Sequence, residues 1–220
     1  FFQAEDGIRD KVFFIFSAAV IWWGCQNGFL STPATLLLML FFFIFVYRNL
    51  SAGRQHRQHT RETREHMDTS RRNIIRNMLG FFFGAAAILI GSRLMVFGGT
   101  SLAQLLGIPE RIIGITVVAV GTSIPELVTT LAAIRKNEHD LSAGNIIGAN
   151  ILDLTLILPL CSLASGKPLP VAPSAVTFDL PACLLITLIG ILPLLIREKA
   201  GRIQGLLLLA SYAAYLVVIL

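Results

Sequence analysis

Apolar residues in this chain come in long runs, not in the alternation of a half-buried strand or the one-sided stripe of a soluble helix. Runs near the roughly 20 residues needed to cross a hydrocarbon core fall at about 12–30, 32–47, 77–97, 112–134, 141–164, 176–196 and 203–220. Backbone polar groups in lipid must be satisfied within the segment, so each run predicts a helix. The expected fold is an all-α polytopic membrane protein of about seven transmembrane helices, most of them joined by short loops. One connection breaks the pattern. The stretch RNLSAGRQHRQHTRETREHMDTSRR, from Arg48, is polar and shows no apolar face until NIIRNML. Residues 48–76 therefore read as a basic cytoplasmic linker between two helices and five, with an anionic-lipid contact or a regulatory role as the functional alternatives.

Composition agrees with the pattern. Hydrophobic residues make up 55% and charged residues 14% of the chain, with a mean hydropathy of +0.73, against the roughly 25% charged residues of soluble domains. Charge then gives a direction. If the seven spans alternate, thirteen Lys and Arg fall on the side of Arg48–Arg76, Arg135, Lys136, Arg197, Lys199 and Arg202, and three (Arg93, Arg111, Lys167) on the other. The positive-inside rule puts 48–76 in the cytoplasm and the C-terminus outside, for a multi-pass protein of the cell inner (plasma) membrane. The net charge of +5 is thereby topological and calls for no nucleic acid; the lipid bilayer is the expected surrounding.

Residues 1–10, FFQAEDGIRD, fit neither a signal peptide nor a span. They look like translated adapter sequence, and fold reasoning excludes them; a native, disordered N-terminus is the alternative. Cys25, Cys161 and Cys183 lie in apolar runs with no CxxC spacing and read as small core residues. His56, His59 and His66 sit in the basic linker and His139 in a short cytoplasmic loop, so none is placed as an intramembrane metal ligand.

Of thirteen acidic residues, Glu126 and Asp153 lie deep in predicted spans, while Asp179 is near enough to an end to reach the interface. A carboxylate at the bilayer centre costs about 2.5–3.5 kcal/mol on insertion scales, so two of them point to function; a neutral acid hydrogen-bonded between helices is the bland alternative. Helical spacing puts Thr122, Ser123, Thr129 and Thr130 around Glu126, and Asn150, Ala149 and Asn145 on the turns before Asp153. Oxygen ligands without histidine or thiol suit hard cations such as Ca²⁺ or Na⁺. Pro125 has no N–H for the carbonyl of Gly121, which predicts freed carbonyls around Ala119 to Thr122. A kink used only for packing is the alternative. Gly144 and Gly148 form a small-xxx-small pair expected to bring Asp153 within reach of Glu126.

GTSIPE at 121–126 followed by GNIIGANILD at 144–153 resembles the second of the two α-repeat signatures of the sodium/calcium exchanger family, within the cation/Ca²⁺ antiporter superfamily. The likeness is greatest to bacterial members and runs from about residue 77 to the C-terminus. It implies ten helices in two inverted-topology halves, with ions held at the midplane where the repeats meet. On this resemblance Glu126 and Asp153 are the principal ligands. The Thr122 and Ser123 hydroxyls and the Ala119 carbonyl complete calcium and sodium sites, Asn145 and Asn150 match the family's amides, and the helix at 77–97 is the sliding gate of this half.

The chain departs from the family twice. Ala149 stands where many relatives carry serine, which removes a hydroxyl that could serve sodium. Only one repeat is present: helices 11–47 match the end of the first half, 48–76 the link and 77–220 the second half. A C-terminal fragment that lacks its N-terminal partner half is the expectation, with a dimer of single-repeat chains as the alternative. The implied activity is secondary antiport of Na⁺ against Ca²⁺ by alternating access. It needs no cofactor and no enzymatic chemistry, the ions themselves being the substrates. The rivals are an H⁺/Ca²⁺ antiporter of the same superfamily and a passive cation channel. An intramembrane hydrolase is disfavoured, because neither a metal-binding histidine pair nor a GxGD sequence occurs.

Overall fold

Lipid-length apolar runs become helices throughout the computed structural model, which describes residues 4–60, 71–197 and 201–219. In chain order these are α1 (Ala4–Gly24), α2 (Thr32–Thr60), α3 (Arg71–Leu105), α4 (Glu110–Ile113), α5 (Ala119–Thr122), α6 (Ile124–Arg135), α7 (His139–Leu152), α8 (Leu158–Ala164), α9 (Leu180–Arg197) and α10 (Arg202–Ile219). Wide π turns at Gly114–Val118, Asp153–Ile157 and Ala175–Asp179 join α4 to α5, α7 to α8, and lead into α9. Among the described residues six helical stretches are long and apolar enough to cross a membrane, namely Thr32–Ser51, Ile75–Leu105, Glu110–Arg135, Leu141–Ala164, Ala175–Ile196 and Arg202–Ile219.

The seventh expected span, 12–30, is corrected. Its helix is α1, which runs through residues 4–10 without a break and stops at Gly24. The chain then turns over Gln26, Asn27 and Gly28, and Gly28 takes φ +79, a left-handed conformation that glycine alone adopts freely. The expected basic linker is helical where it is described: residues up to Thr60 continue α2 and residues from Arg71 belong to α3, and the rest of 48–76 lies outside the described residues. Helix needs no apolar face where Arg, Gln and Ala, good helix formers, carry it past the lipid.

The chain divides into two units, one of Phe1–Gly53 with Ala143–Leu220 and one of Arg54–Ser142. In the first, Ile21, Cys25, Leu30, Ala34, Leu38 and Val176 form a buried core, and Ile147, Ile151 and Ile191 form a second one against Phe13, Phe14 and Phe45. Gly24 is buried because α2 crosses so closely that an added Cβ would overlap the Cβ of Ala34. Lys11 Nζ donates to the carbonyl of Leu194 at 3.0 Å, and the Arg48 guanidinium lies 5.9 Å from the centre of the Phe13 ring. Lys11 thus meets the last turns of α9, and Arg48, well inside α2, lies over Phe13 of α1. At the other end two loops are stitched together: Leu30 N donates to Leu169 O at 2.9 Å and Val171 N to Gly28 O at 2.8 Å, with Phe29 and Pro170 paired antiparallel. Strict alternation of spans places these two loops on one side, as their hydrogen bonds require.

In the same unit Tyr215 Oη donates to Asp179 Oδ1 at 3.0 Å, and Phe178 stacks on Tyr215 with ring centres 5.9 Å apart. Asp179 is thus half-buried and held by α10. Of the cysteines, Cys25 is buried, as a small core residue should be, but Cys161 and Cys183 are exposed.

Each π turn has a threonine at its third position whose hydroxyl donates to the carbonyl four residues back: Thr116 to Ile112 at 2.5 Å, Thr155 to Ile151 at 2.6 Å and Thr177 to Pro173 at 3.0 Å. Such back-bonding competes with the backbone ladder and bends helices. Pro159 and Pro181 sit four residues beyond Thr155 and Thr177, where a regular helix would need their missing N–H groups. Both effects favour one widened turn.

Candidate cation-binding site

Glu126 owes its place to the break in its helix. α5 ends at Thr122, Ser123 takes φ −89 and ψ 0, and α6 starts at Ile124 with Pro125 in its first turn. Proline is suited to that position, where an N–H would have no helical partner. The residue is therefore not a kink inside one helix but the start of a second, and Glu126 becomes a first-turn carboxylate beside the positive end of the α6 dipole. The side chain is half-buried, with Oε2 fully covered.

Of the carbonyls expected to be freed before Pro125, those of Ala119, Val120 and Gly121 are hydrogen-bonded. Ser123 N donates to Ala119 O at 3.3 Å and to Val120 O at 3.2 Å, and Gly121 O also accepts at the cap. The Thr122 hydroxyl donates to Val118 O at 3.0 Å and Ala119 O at 3.1 Å. The tightened turn at Ser123 shares its N–H between two carbonyls and so absorbs the proline. Thr129 likewise turns its hydroxyl to Pro125 O and Glu126 O, both at 3.0 Å, and Thr130 is buried. Ala119, Thr122, Ser123 and Glu126 thus stand within two turns of one broken helix. The donating Thr122 hydroxyl keeps its oxygen lone pairs for a cation, whereas the Ala119 carbonyl, which already accepts from Thr122 and Ser123, must give up one of these bonds to meet an ion.

The second ligand set lies in the other unit. Asn145, Ala149 and Asn150 follow one another along α7, and Asp153, exposed, opens the π turn after it. Because the widening begins at Asp153, the turns between it and Asn150 and Ala149 remain α-helical. Asn150 Nδ2 donates to Ile146 O at 2.8 Å, which commits the amide N–H and leaves the oxygen as the atom suited to a cation. Gly148 has no neighbour within 4 Å of an added Cβ, so in its own unit it provides no close helix approach. Glycines that do so are Gly24, Gly99 and Gly121. Among the described residues no group of three or more His, Cys, Asp or Glu could hold a metal.

Sequence reading misses the π turns and the helix start at Pro125. The pattern Thr-x-x-x-Pro at 155–159 and 177–181, and Ser123 before Pro125 as a helix-start signal, carry them.

Among the described residues the chain is helical and multi-span, and its two carboxylates within lipid-length stretches lie at helix interruptions, the kind of place where membrane transport proteins hold ions. Comparison with known proteins makes this specific. A family model described as "Sodium/calcium exchanger protein" matches residues 76–220, more than half of the chain. Sodium/calcium exchanger MaX1 of Methanosarcina acetivorans is 42% identical over 134 residues, 61% of this chain and 38% of that protein. Inner membrane protein YrbG of Escherichia coli is 36% identical over 141 residues, 63% and 43% of the two chains. Membrane protein MJ0091 of Methanocaldococcus jannaschii is 32% identical over 209 residues, 94% and 63%. The matches span less than two thirds of these relatives' lengths. No solved structure matches the chain. The chain belongs to the sodium/calcium exchanger family.

Proposed function

We propose that this chain forms the second-repeat half of a cation antiporter that exchanges Na⁺ for Ca²⁺ across the cytoplasmic membrane. The observation that carries the reading is Glu126 in the first turn of a helix restarted at Pro125, within the region matched to the family. Glu126 and Asp153 supply the charge, while Thr122, Ser123, Asn145, Asn150 and the Ala119 carbonyl supply neutral oxygens. Sodium and calcium compete for these oxygens. Occupancy offsets the two negative charges and lets the loaded protein switch access, whereas the empty charged site resists it. Counter-ion dependence tests the reading. In liposomes holding a transport-competent protein that carries this chain, an outward sodium gradient should drive calcium uptake. Flux driven only by a proton gradient assigns it to H⁺/Ca²⁺ exchange, and flux independent of any counter-ion assigns a channel.

Ala149 refines the sodium side. Ala149→Ser restores a hydroxyl one turn before Asp153, so the sodium concentration for half-maximal exchange should fall while that for calcium changes little, because calcium depends on ligand charge. A sodium titration of liposome uptake measures both; an unmoved sodium midpoint means that position 149 does not serve the ion.

The arginine distribution supports a cytoplasmic 48–76 segment. In a cysteine-free background, a cysteine at Ser165, in the exposed turn after α8, should react with an impermeant thiol reagent in intact cells, and one at Ser70 should be shielded. The reverse pattern inverts every helix.

A further inference from the structure

Within the second unit, α3 runs antiparallel to the helix that ends at Thr122, and the two meet through a reciprocal pair of contacts. Val96 of α3 covers Gly121, where an added Cβ would overlap Val96 Cγ2 and stand 3.6 Å from Val96 Cβ. Val117, in the π turn before α5, covers Gly99 of α3, where an added Cβ would stand 2.5 Å from Val117 Cγ1 and 3.8 Å from Val117 Cβ. Each helix thus offers one valine and one glycine, three residues apart on α3 and four apart on its partner. Valine has essentially one χ1 rotamer in a helix, so both valines are stiff. The other glycines of α3, at 80, 84, 91 and 98, would meet nothing within 4 Å, which confines the close approach to this one level. Gly121 is buried, two residues before the break at Ser123 and five before Glu126.

We propose that Val96 and Gly121, with Val117 and Gly99, are positioning residues that fix the end of α5 against α3 and thereby set where the Glu126 carboxylate stands for a cation. The proposal rests on the cation-binding reading above. Backbone-to-side-chain contact at Gly121 leaves no slack, so a methyl group there displaces the α5 end, and Glu126 with it, away from α3. A displacement on the order of 1 Å at a ligand site costs tenfold or more.

Five variants test it in a purified, transport-competent protein that carries this chain, freed of its native cysteines. The Cβ separations at both pairs fall in the roughly 3.5–4.5 Å range of disulfides, so Val96→Cys with Gly121→Cys, and Gly99→Cys with Val117→Cys, should cross-link on mild oxidation. Gly121→Ala should raise the calcium concentration for half-saturation of direct calcium binding by about tenfold. Adding Val96→Ala should bring it back to within about twofold of the unsubstituted value, while adding Val117→Ala should not. A role confined to folding would lower the melting temperature and yield but leave the calcium midpoint of the folded fraction unmoved. Absence of both cross-links, an unmoved midpoint in Gly121→Ala, or failure of Val96→Ala to rescue overturns the proposal. If the unsubstituted protein binds no calcium, the cation reading fails separately. The cross-links and the melting temperatures of the same variants then decide whether Val96 sets the position of Gly121: rescue of the melting temperature by Val96→Ala but not by Val117→Ala upholds that placement, and equal effects of the two reject it.

Discussion

Glu126→Gln should reduce calcium transport by about two orders of magnitude in a transport-competent protein carrying this chain, because calcium affinity follows the number of charged ligands. The amide keeps the shape of the side chain and its place in the first turn of α6, so loss of the negative charge is the main change. Asp153→Asn should act similarly. Ser123→Ala removes one neutral oxygen and should cost less than about tenfold. Calcium uptake into liposomes, normalised to folded protein by size-exclusion profile, measures all three. Near-unchanged uptake in Glu126→Gln would sink the assignment of the site.

Gly24→Val should prevent the first unit from folding. The Cβ of Ala34 occupies the space that a side chain at position 24 needs, and a Cβ cannot rotate out of the way. Overpacking ordinarily costs about 1–3 kcal/mol; here α1 and α2 must separate, with exposure of Ile21, Leu30 and Leu38 from the core they share. The control is Gly80→Val on α3, where nothing lies within 4 Å. Melting temperature and monodispersity in mild detergent should collapse for the first variant and hold for the second. Equal behaviour of the two would contradict the crossing of α1 and α2.

Sequence alone carries the helical class and the lipid-length runs, since such runs have no other stable use. It misplaces the bounds of α1 because counting apolar residues passes over Gln26-Asn27-Gly28, a turn signal inside the run. It fails at α2 and α3 for the opposite reason: leaving the apolar phase does not end a helix, and propensity carries both elongated helices into the polar segment. At the site, Glu126 and Asp153 stand out as charges that lipid penalises. Their local settings do not, because hydrogen-bond allocation decides them. Whether Pro125 frees carbonyls depends on where the Ser123 N–H goes, and it goes to Ala119 and Val120. Asp179 falls to the same limit: Tyr215 lies 36 residues away in sequence, beyond any local pattern.

The stitched loops have a mechanical consequence. Gly28, Leu30, Leu169 and Val171 tie the connection between α1 and α2 to the connection between α8 and α9 through two backbone hydrogen bonds, which among substitutions at the donors Leu30 and Val171 only proline abolishes outright. A clamp at one end makes the joined loops a node: splaying among these four helices is least there, and it is held again farther along by the Lys11 bond to Leu194 O and the core around Ile147, Ile151 and Ile191. Thermal amplitude in this unit should therefore be graded along the helix axes, smallest at residues 28–30 and 169–171.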